Sequence, residues 1–416
     1  MAGIASREHL NICLLSYRSN PHSGGQGVYL KNLSRALKDQ GHRVTVVCGP
    51  PDADIGPDIN LVRLPSLDLY DPADPFRMPT LKELSHPINL IEWVGVSTMG
   101  FPEPFTFGLR AWLYLKKCIG HFDIVHDNQS LSYGINVIAN RIPTIATIHH
   151  PITVDRRIAI RSEQKTWRKL KQWRWFSFIG MQRRVARSLS GFITVSKAAR
   201  RDISGDFAIK KNRFHIVPNG IDTGRFHPVP DIDREPGRLI VTNSADIPLK
   251  GLQYLLEAIA RIKKRHGVRL TVIGAPKKNS PIPLLIRELG IGDLVTFTGR
   301  IGHEEFVRQY ARAAIAVVPS VYEGFGLPAG EAMACAVPVI STSGGALPEV
   351  VGDAGLLIPP ASVDALTGAI LQLLENPDRA RRLGDAGYRR VMNEFTWSRA
   401  AHKTIKAYRK VIRGYR

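Results

Sequence analysis

The feature that most restricts what this chain can fold into is a rhythm of strand and helix patterns that occurs twice. Short apolar runs alternate with longer amphipathic stretches: NICLLSY, VYLKNLSRALKDQG and HRVTVVCG, then FDIVHD, PTIATIHH and GFITVS. After residue 230 the alternation returns in RLIVTN, a helix expected over 252–265, VRLTVIG, LVTFTG, IAVVPS and VPVIST. Strands that alternate with helices build βαβ units on a parallel sheet, because a parallel neighbour is reached only through a crossover that covers the sheet's face. Two such runs mean two doubly wound α/β domains, and 416 residues that are 44% hydrophobic can fill two cores. Between the runs lies IVPNGIDTGRFHPVPDIDREPG, rich in Pro, Gly and Asp and without a helical or strand period. The expected division is therefore 1–230, 231–395 and a final helix over 396–416, where Trp397, Ala401, Ile405, Tyr408 and Ile412 fall at helical spacing.

Four cysteines, Cys13, Cys48, Cys118 and Cys335, stand far apart without a CxxC or Cys/His pairing, which excludes a disulfide framework or zinc site of familiar spacing and fits a reducing compartment. No signal peptide is expected, and no run approaches the roughly 18 apolar residues a membrane span needs. The expectation is a cytoplasmic protein, peripheral at most, at the inner face of the plasma membrane. A net charge of +21 raises nucleic acid, an anionic membrane face and phosphorylated ligands as partners. Between positions 156 and 187 eleven Lys or Arg stand against one acid, Glu163, so this stretch alone carries about half of the excess.

Three segments carry chemistry. Ser23, Gly24, Gly25, Gln26 and Gly27 follow the first strand and open a helix, where glycines admit a ligand to the backbone and the helix N-terminus favours an anion. A plain tight turn explains the same residues. Glu323-Gly324-Phe325-Gly326-Leu327-Pro328-Ala329-Gly330-Glu331 places two carboxylates eight positions apart around a glycine cradle at a strand-to-helix junction. Backbone donors there suit a diphosphate, and the carboxylates suit sugar hydroxyls on either side of it. The same pair has the composition of a glycosidase's acid and nucleophile, which sequence does not distinguish. Lys250, in Pro248-Leu249-Lys250-Gly251 at another strand-to-helix junction, is placed to serve phosphate as a point charge or to stand solvated.

Taken together, GG-x-G after strand one, VSKAARRDI, VPNGID, LKG, EGFGLPAGEAMA and GGALPEVVGDAG closely resemble the family 4 retaining glycosyltransferases along essentially the whole chain. The resemblance implies the GT-B fold: two Rossmann-like doubly wound domains facing across a cleft, with the last helix crossing back to the first domain. It makes Glu323 the contact to the donor sugar near the reacting centre, Glu331 the partner of the ribose hydroxyls and Lys250 a diphosphate ligand, with amides of Gly324, Phe325, Gly326 and Leu327 completing the anion site. His149, in Thr-Ile-His-His-Pro, matches the family's active-site histidine, and His150 is its acceptor-side neighbour together with Gly24, Gly25 and Gly27. Many relatives carry an arginine six residues before the lysine, where this chain has Ser244. Either Arg300 substitutes for it, or the phosphates lean on Lys250 and amides alone. The implied reaction is front-face hexosyl transfer with retention, from a nucleotide sugar to a glycan or lipid-linked acceptor in cell-envelope or polysaccharide synthesis, with no cofactor and no metal. A GT-B enzyme with a small soluble acceptor, a phosphorylase or hydrolase, and a non-catalytic polyanion binder are the alternatives.

Two further regions stand out. The basic run that begins at Arg161 and ends at Arg187 places Trp167, Leu170, Trp173, Phe176 and Ile179 at intervals of three. Such a helix either packs its aromatic stripe onto the domain or meets an anionic bilayer, while nucleic acid is not expected. Residues 69–117 read as a long Pro-rich, aromatic loop in the first domain that shapes acceptor specificity.

Overall fold

The computed structural model describes residues 7–19, 25–51, 53–71, 74, 76–242, 247–277 and 280–415. Gly24 and Ser244 lie outside them. The chain forms two compact units. One comprises Met1–Val195, Ala199–Val217 and Ala400–Arg416, the other Ser196–Ala198 and Pro218–Arg399.

The first unit is built on seven parallel strands: β1 (Asn11–Ser16), β2 (Arg43–Cys48), β3 (Asn60–Arg63), β4 (Ile124–Asn128), β5 (Thr144–Thr147), β6 (Gly191–Thr194) and β7 (Phe214–Ile216). Their order is β3-β2-β1-β4-β5-β6-β7, so the winding reverses between β1 and β4. β1, β4, β5 and β6 are buried along almost their whole length, as expected of strands covered by helices on both faces. The second unit holds β8 (Glu235–Thr242), β9 (Arg269–Ile273), β10 (Val295–Phe297), β11 (Ala313–Val318), β12 (Val339–Thr342) and β13 (Leu356–Ile358), ordered β10-β9-β8-β11-β12-β13. Here the winding reverses between β8 and β11. In open α/β sheets ligands bind beyond the carboxyl ends of the strands at such a point. The helix after β8, Leu252–Ile262, buries Leu255, Leu256, Ile259 and Ile262 in the core. It ends three residues short of the expected 265 because Lys263, Lys264 and Arg265 have nothing apolar to bury.

Residues 69–117 are not a loop. They fold into helices Leu81–Leu84, Pro87–Ser97 and Glu103–Leu115. Their prolines, Pro87 and Pro104, occupy first-turn positions, where a missing N–H costs nothing. Thr80 and Glu83 form a reciprocal capping box in front of the first.

The basic run is also not one helix but three pieces, Ile152–Ser162, Thr166–Trp175 and Ile179–Ser188. Its stripe divides. Trp167, Leu170 and Trp173 are 60%, 69% and 62% exposed, whereas Ile179 is buried. Trp175 instead stacks on Phe101 at 4.9 Å and meets Tyr70 edge-on. A spacing of three drifts off a 3.6-residue face, so one end of the stripe packs and the other does not. Among the described residues no helix is long and apolar enough to cross a membrane.

Candidate active site

In the second unit, the carboxyl ends of β8 and β11 lead into the loops that carry Lys250 and Glu323. The two loops are stitched together by the Val321 N–H, which donates to the Leu249 carbonyl at 2.8 Å. Gly251 has φ +70, and a Cβ there would stand 2.1 Å from the Pro319 carbonyl oxygen, so only glycine allows this approach. Lys250 Nζ reaches Glu323 Oε1 at 2.7 Å, and the Ser320 hydroxyl donates to the same oxygen at 2.8 Å. The Glu323 backbone is fixed from the other side, where its carbonyl accepts from the Ala346 N–H at 2.9 Å. Glu323 is thus held by a cation, a hydroxyl and its own main chain.

Directly after it, Gly326 caps the Leu327–Ala334 helix in a left-handed conformation, φ +104, with no side-chain hydrogen bond to the helix end. Phe325 points away into the core against Phe395, so it serves this turn through its backbone. Glu331 lies one turn into the helix. Burial of its carboxyl raises the pKa to about 7, against the lowering influence of Arg225 and Lys250. Arg225 lies over the rings of Phe226 and Phe306, and burial lowers its own pKa. Arg300 is exposed beyond the edge strand β10, and no described contact joins it to Lys250 or Glu323.

In the first unit a second cluster forms around His149. The Asn128 amide Nδ2 donates to the Gln26 carbonyl at 3.3 Å, and that oxygen can only accept. Asn128 Oδ1 therefore faces His149 Nε2, 2.8 Å away, and Nε2 carries the proton. Burial pushes the His149 pKa down to about 3, so the ring is neutral with its lone pair on Nδ1. The loop beneath is strained: Gln129 and Leu131 have φ of +62 and +47. It is held by Asp127, which bonds the Ser130 hydroxyl and the Leu131 N–H, and by Gln182, which donates to the Gln129 and Ser130 carbonyls. Gln129 Oε1 in turn accepts from the His149 N–H at 2.8 Å. His150 turns elsewhere, to Asp155 at 2.6 Å. Gly25 and Gly27 open the Gly25–Asp39 helix, whose Gln26 is tied to His149 through Asn128.

Sequence reasoning missed Ser320, Arg225, Asn128 and Gln129. The run HDNQS at the end of a buried parallel strand was the available signal, since so many buried polar groups need partners. Arg225 stood just after the VPNGID block.

Residues 23–225 match the family described as Glycosyltransferase Family 4, and residues 230–390 match Glycosyl transferases group 1. An MMP alpha-(1->4)-mannosyltransferase of Mycolicibacterium hassiacum is 45% identical over 97% of this chain and 98% of its own length. A D-inositol 3-phosphate glycosyltransferase of Segniliparus rotundus is 27% identical over 97% and 90%. Among solved structures, sucrose-phosphate synthase from Thermosynechococcus elongatus matches with a TM-score of 0.73 and 25% identity, covering 98% of this chain and 100% of that one. Anabaena HepE in complex with UDP and glucose, 15% identical, matches in fold with a TM-score of 0.69 over 96% and 99%. With both halves matched and a near full-length relative at this identity, the chain belongs to glycosyltransferase family 4 and is a glycosyltransferase of GT-B fold.

Proposed function

We propose that this glycosyltransferase moves a mannosyl unit, with retention and without a metal ion or cofactor, from a nucleotide-diphosphate sugar to a glycan or lipid-linked acceptor in cell-envelope or polysaccharide synthesis. The 45% identical relative, named for alpha-(1->4)-mannosyl transfer, supports the sugar and the linkage. The observation that carries the chemistry is the Lys250–Glu323 pair at 2.7 Å, placed at the switch point of the sheet beside a helix N-terminus. Lys250 leaves Glu323 for the diphosphate, which the amides from Gly324 to Leu327 and the helix end also face. Glu323, still held by Ser320, accepts from a hydroxyl of the transferred sugar, and Glu331 accepts from the ribose hydroxyls. The bond from C1 to the diphosphate oxygen breaks as the acceptor oxygen bonds C1 on the same face. The acceptor's proton passes to the departing phosphate oxygen. Lys250 and the helix end balance the charge that develops there, so a metal is not needed. His149, with its lone pair on Nδ1, accepts a sugar hydroxyl, and the Gly25–Gly27 turn and His150 serve the acceptor.

A panel of UDP, GDP and ADP conjugates of mannose, glucose, galactose and N-acetylglucosamine tests this. Binding at about 100 times the dissociation constant adds about 2.7 kcal/mol of stability, readable as a thermal shift. One mannose conjugate is expected to shift the protein, and its transfer to give an α-linked product with EDTA present. A β-linked product overturns retention, and loss of transfer in EDTA that is restored by a divalent cation overturns metal independence.

The exposed Trp167, Leu170 and Trp173, among cations that include Arg156 over Trp173 and Arg168 over Trp167, support contact with an anionic membrane face at the inner side of the plasma membrane. The protein is expected to co-sediment with phosphatidylglycerol vesicles at low salt, and the double substitution Trp167→Ser, Trp173→Ser to abolish this. Each substitution should change stability by no more than about 0.5 kcal/mol, since neither ring is buried. Failure of the unaltered protein to sediment removes the membrane from the scheme.

A further inference from the structure

One buried histidine has no part in the chemistry above. His126, on β4, is fully enclosed and hydrogen-bonded at both nitrogens: Nδ1 meets the Tyr408 hydroxyl and Nε2 the Thr147 hydroxyl, each at 2.6 Å. The Thr147 hydroxyl lies 3.0 Å from that of Tyr29. Tyr29 presents its ring edge-on to His149, with centroids 4.6 Å apart and planes at 82°. An unbroken path thus runs from the Trp397–Gly414 helix, which carries Tyr408, through β4 and β5 to the Gly25–Asp39 helix and the His149 ring. All four hydrogen-bonding residues are buried.

The path has a direction. Burial keeps His126 neutral, so one of its nitrogens donates and the other accepts. Among the described residues, His126 Nδ1 is the hydrogen-bond partner of the enclosed Tyr408 hydroxyl. Were Nδ1 protonated, the Tyr408 O–H would point at no acceptor, which is expensive in a sealed interior. Tyr408 therefore donates to Nδ1 and His126 Nε2–H donates to Thr147, whose hydroxyl shares a hydrogen bond with that of Tyr29. The C-terminal helix thereby selects the His126 tautomer and the seat of the Tyr29 ring.

We propose that Tyr29 is a positioning residue for His149, and that Tyr408 acts with it through His126 and Thr147 to set the plane in which His149 presents Nδ1 to a sugar hydroxyl. This rests on the reading of His149 as a group that touches that sugar. Asn128 fixes which nitrogen of His149 carries the proton, while Tyr29 fixes how the ring is turned. The two constraints are independent and both are needed to aim a lone pair.

The test uses Tyr29→Phe and Tyr408→Phe, which keep ring volume and remove one hydroxyl each. Imidazole nitrogen and carbon NMR signals of the full chain, assigned with His126→Gln and His149→Gln, report tautomer and ring environment without any substrate. The native protein should show the Nε2–H tautomer at both histidines. Tyr408→Phe should give mixed tautomers at His126 and shift the His149 ring signals, and Tyr29→Phe should shift His149 alone. Transfer from the mannose conjugate selected above should then fall about three- to tenfold in kcat in both variants, with the donor KM within about twofold, the range expected when a single hydrogen bond is lost from the positioning of a reacting group. Unmoved His149 signals in both variants overturn the relay whatever the activity. Moved signals with unchanged kcat show that the relay does not serve transfer. Near-native kcat in His149→Gln would fault the reading of His149 itself, and the NMR outcome would still decide the relay.

Discussion

Two polar clusters, one in each unit, are built on opposite principles. Around Lys250, Glu323 and Glu331 the groups are charged, and they are held mainly by main-chain geometry: a left-handed Gly251, stitched loops and a helix end without a side-chain cap. Around His149 and His126 the two rings are neutral, and they are held by a web of side-chain hydrogen bonds that includes the buried Asp127 carboxyl beneath. A diphosphate has to be met by charge, and charge stays affordable only near the surface or in pairs. A sugar hydroxyl is met by a lone pair, which burial preserves by keeping a histidine unprotonated.

This contrast can be broken or sharpened by experiment. The largest effect is expected from Lys250→Ala and Glu323→Ala, each of which removes a charge-assisted contact of about 1.5–3 kcal/mol and should cut turnover more than about tenfold. Circular dichroism should report an intact fold in both. Near-normal transfer by both variants would show that the charged cluster is not the donor site.

The next effect concerns pH. His126 and His149 sit at about 3 when folded against an ordinary 6.5, so the unfolded chain takes up protons that the folded one refuses. Their contribution is present above pH 6.5 and lost as pH falls toward 3, by about 2 kcal/mol per histidine at pH 5. Denaturant titrations of the native chain and His126→Gln should therefore converge as the pH is lowered from 7 to 5. Parallel curves would mean that His126 takes up its proton in the folded protein as readily as in the unfolded chain.

The smallest effect runs the other way. Glu331 has a folded pKa near 7, above its ordinary 4.5, so its contribution is fully present below pH 4.5 and lost as pH rises through 7. Glu331→Gln should stabilise the ligand-free protein at pH 8 while weakening its thermal shift with the nucleotide sugar. A loss of stability at pH 8 would mean that the pairing with Arg225 outweighs burial.

How much of this was legible in the sequence follows the same division. The charged cluster announces itself, because glycines at forced turns and carboxylates at a fixed spacing are local facts that neighbours in the chain enforce. Lys250, Glu323 and Glu331 could be singled out before any coordinates, although the Lys250–Glu323 contact joins positions 73 residues apart. The neutral cluster was almost silent. Tyr29 reads as an ordinary amphipathic-helix residue and Tyr408 as one apolar position among five, yet they are joined through His126 across hundreds of residues. The 69–117 segment misled for a related reason: its prolines suggest a loop until one sees that Pro87 and Pro104 stand at helix starts.

The alternation of strands and helices, the two-fold repetition of that pattern and the glycine-and-carboxylate motifs were determined by the sequence alone, because each depends on periodicity or on backbone conformations available to few residues. Only the tertiary structure decided which tryptophans of the basic run are covered, which nitrogen of His126 and of His149 holds its proton, and which distant hydroxyl sets that of His126. Those outcomes depend on what surrounds a side chain in space, and burial and hydrogen-bond partnership are properties of the packed whole.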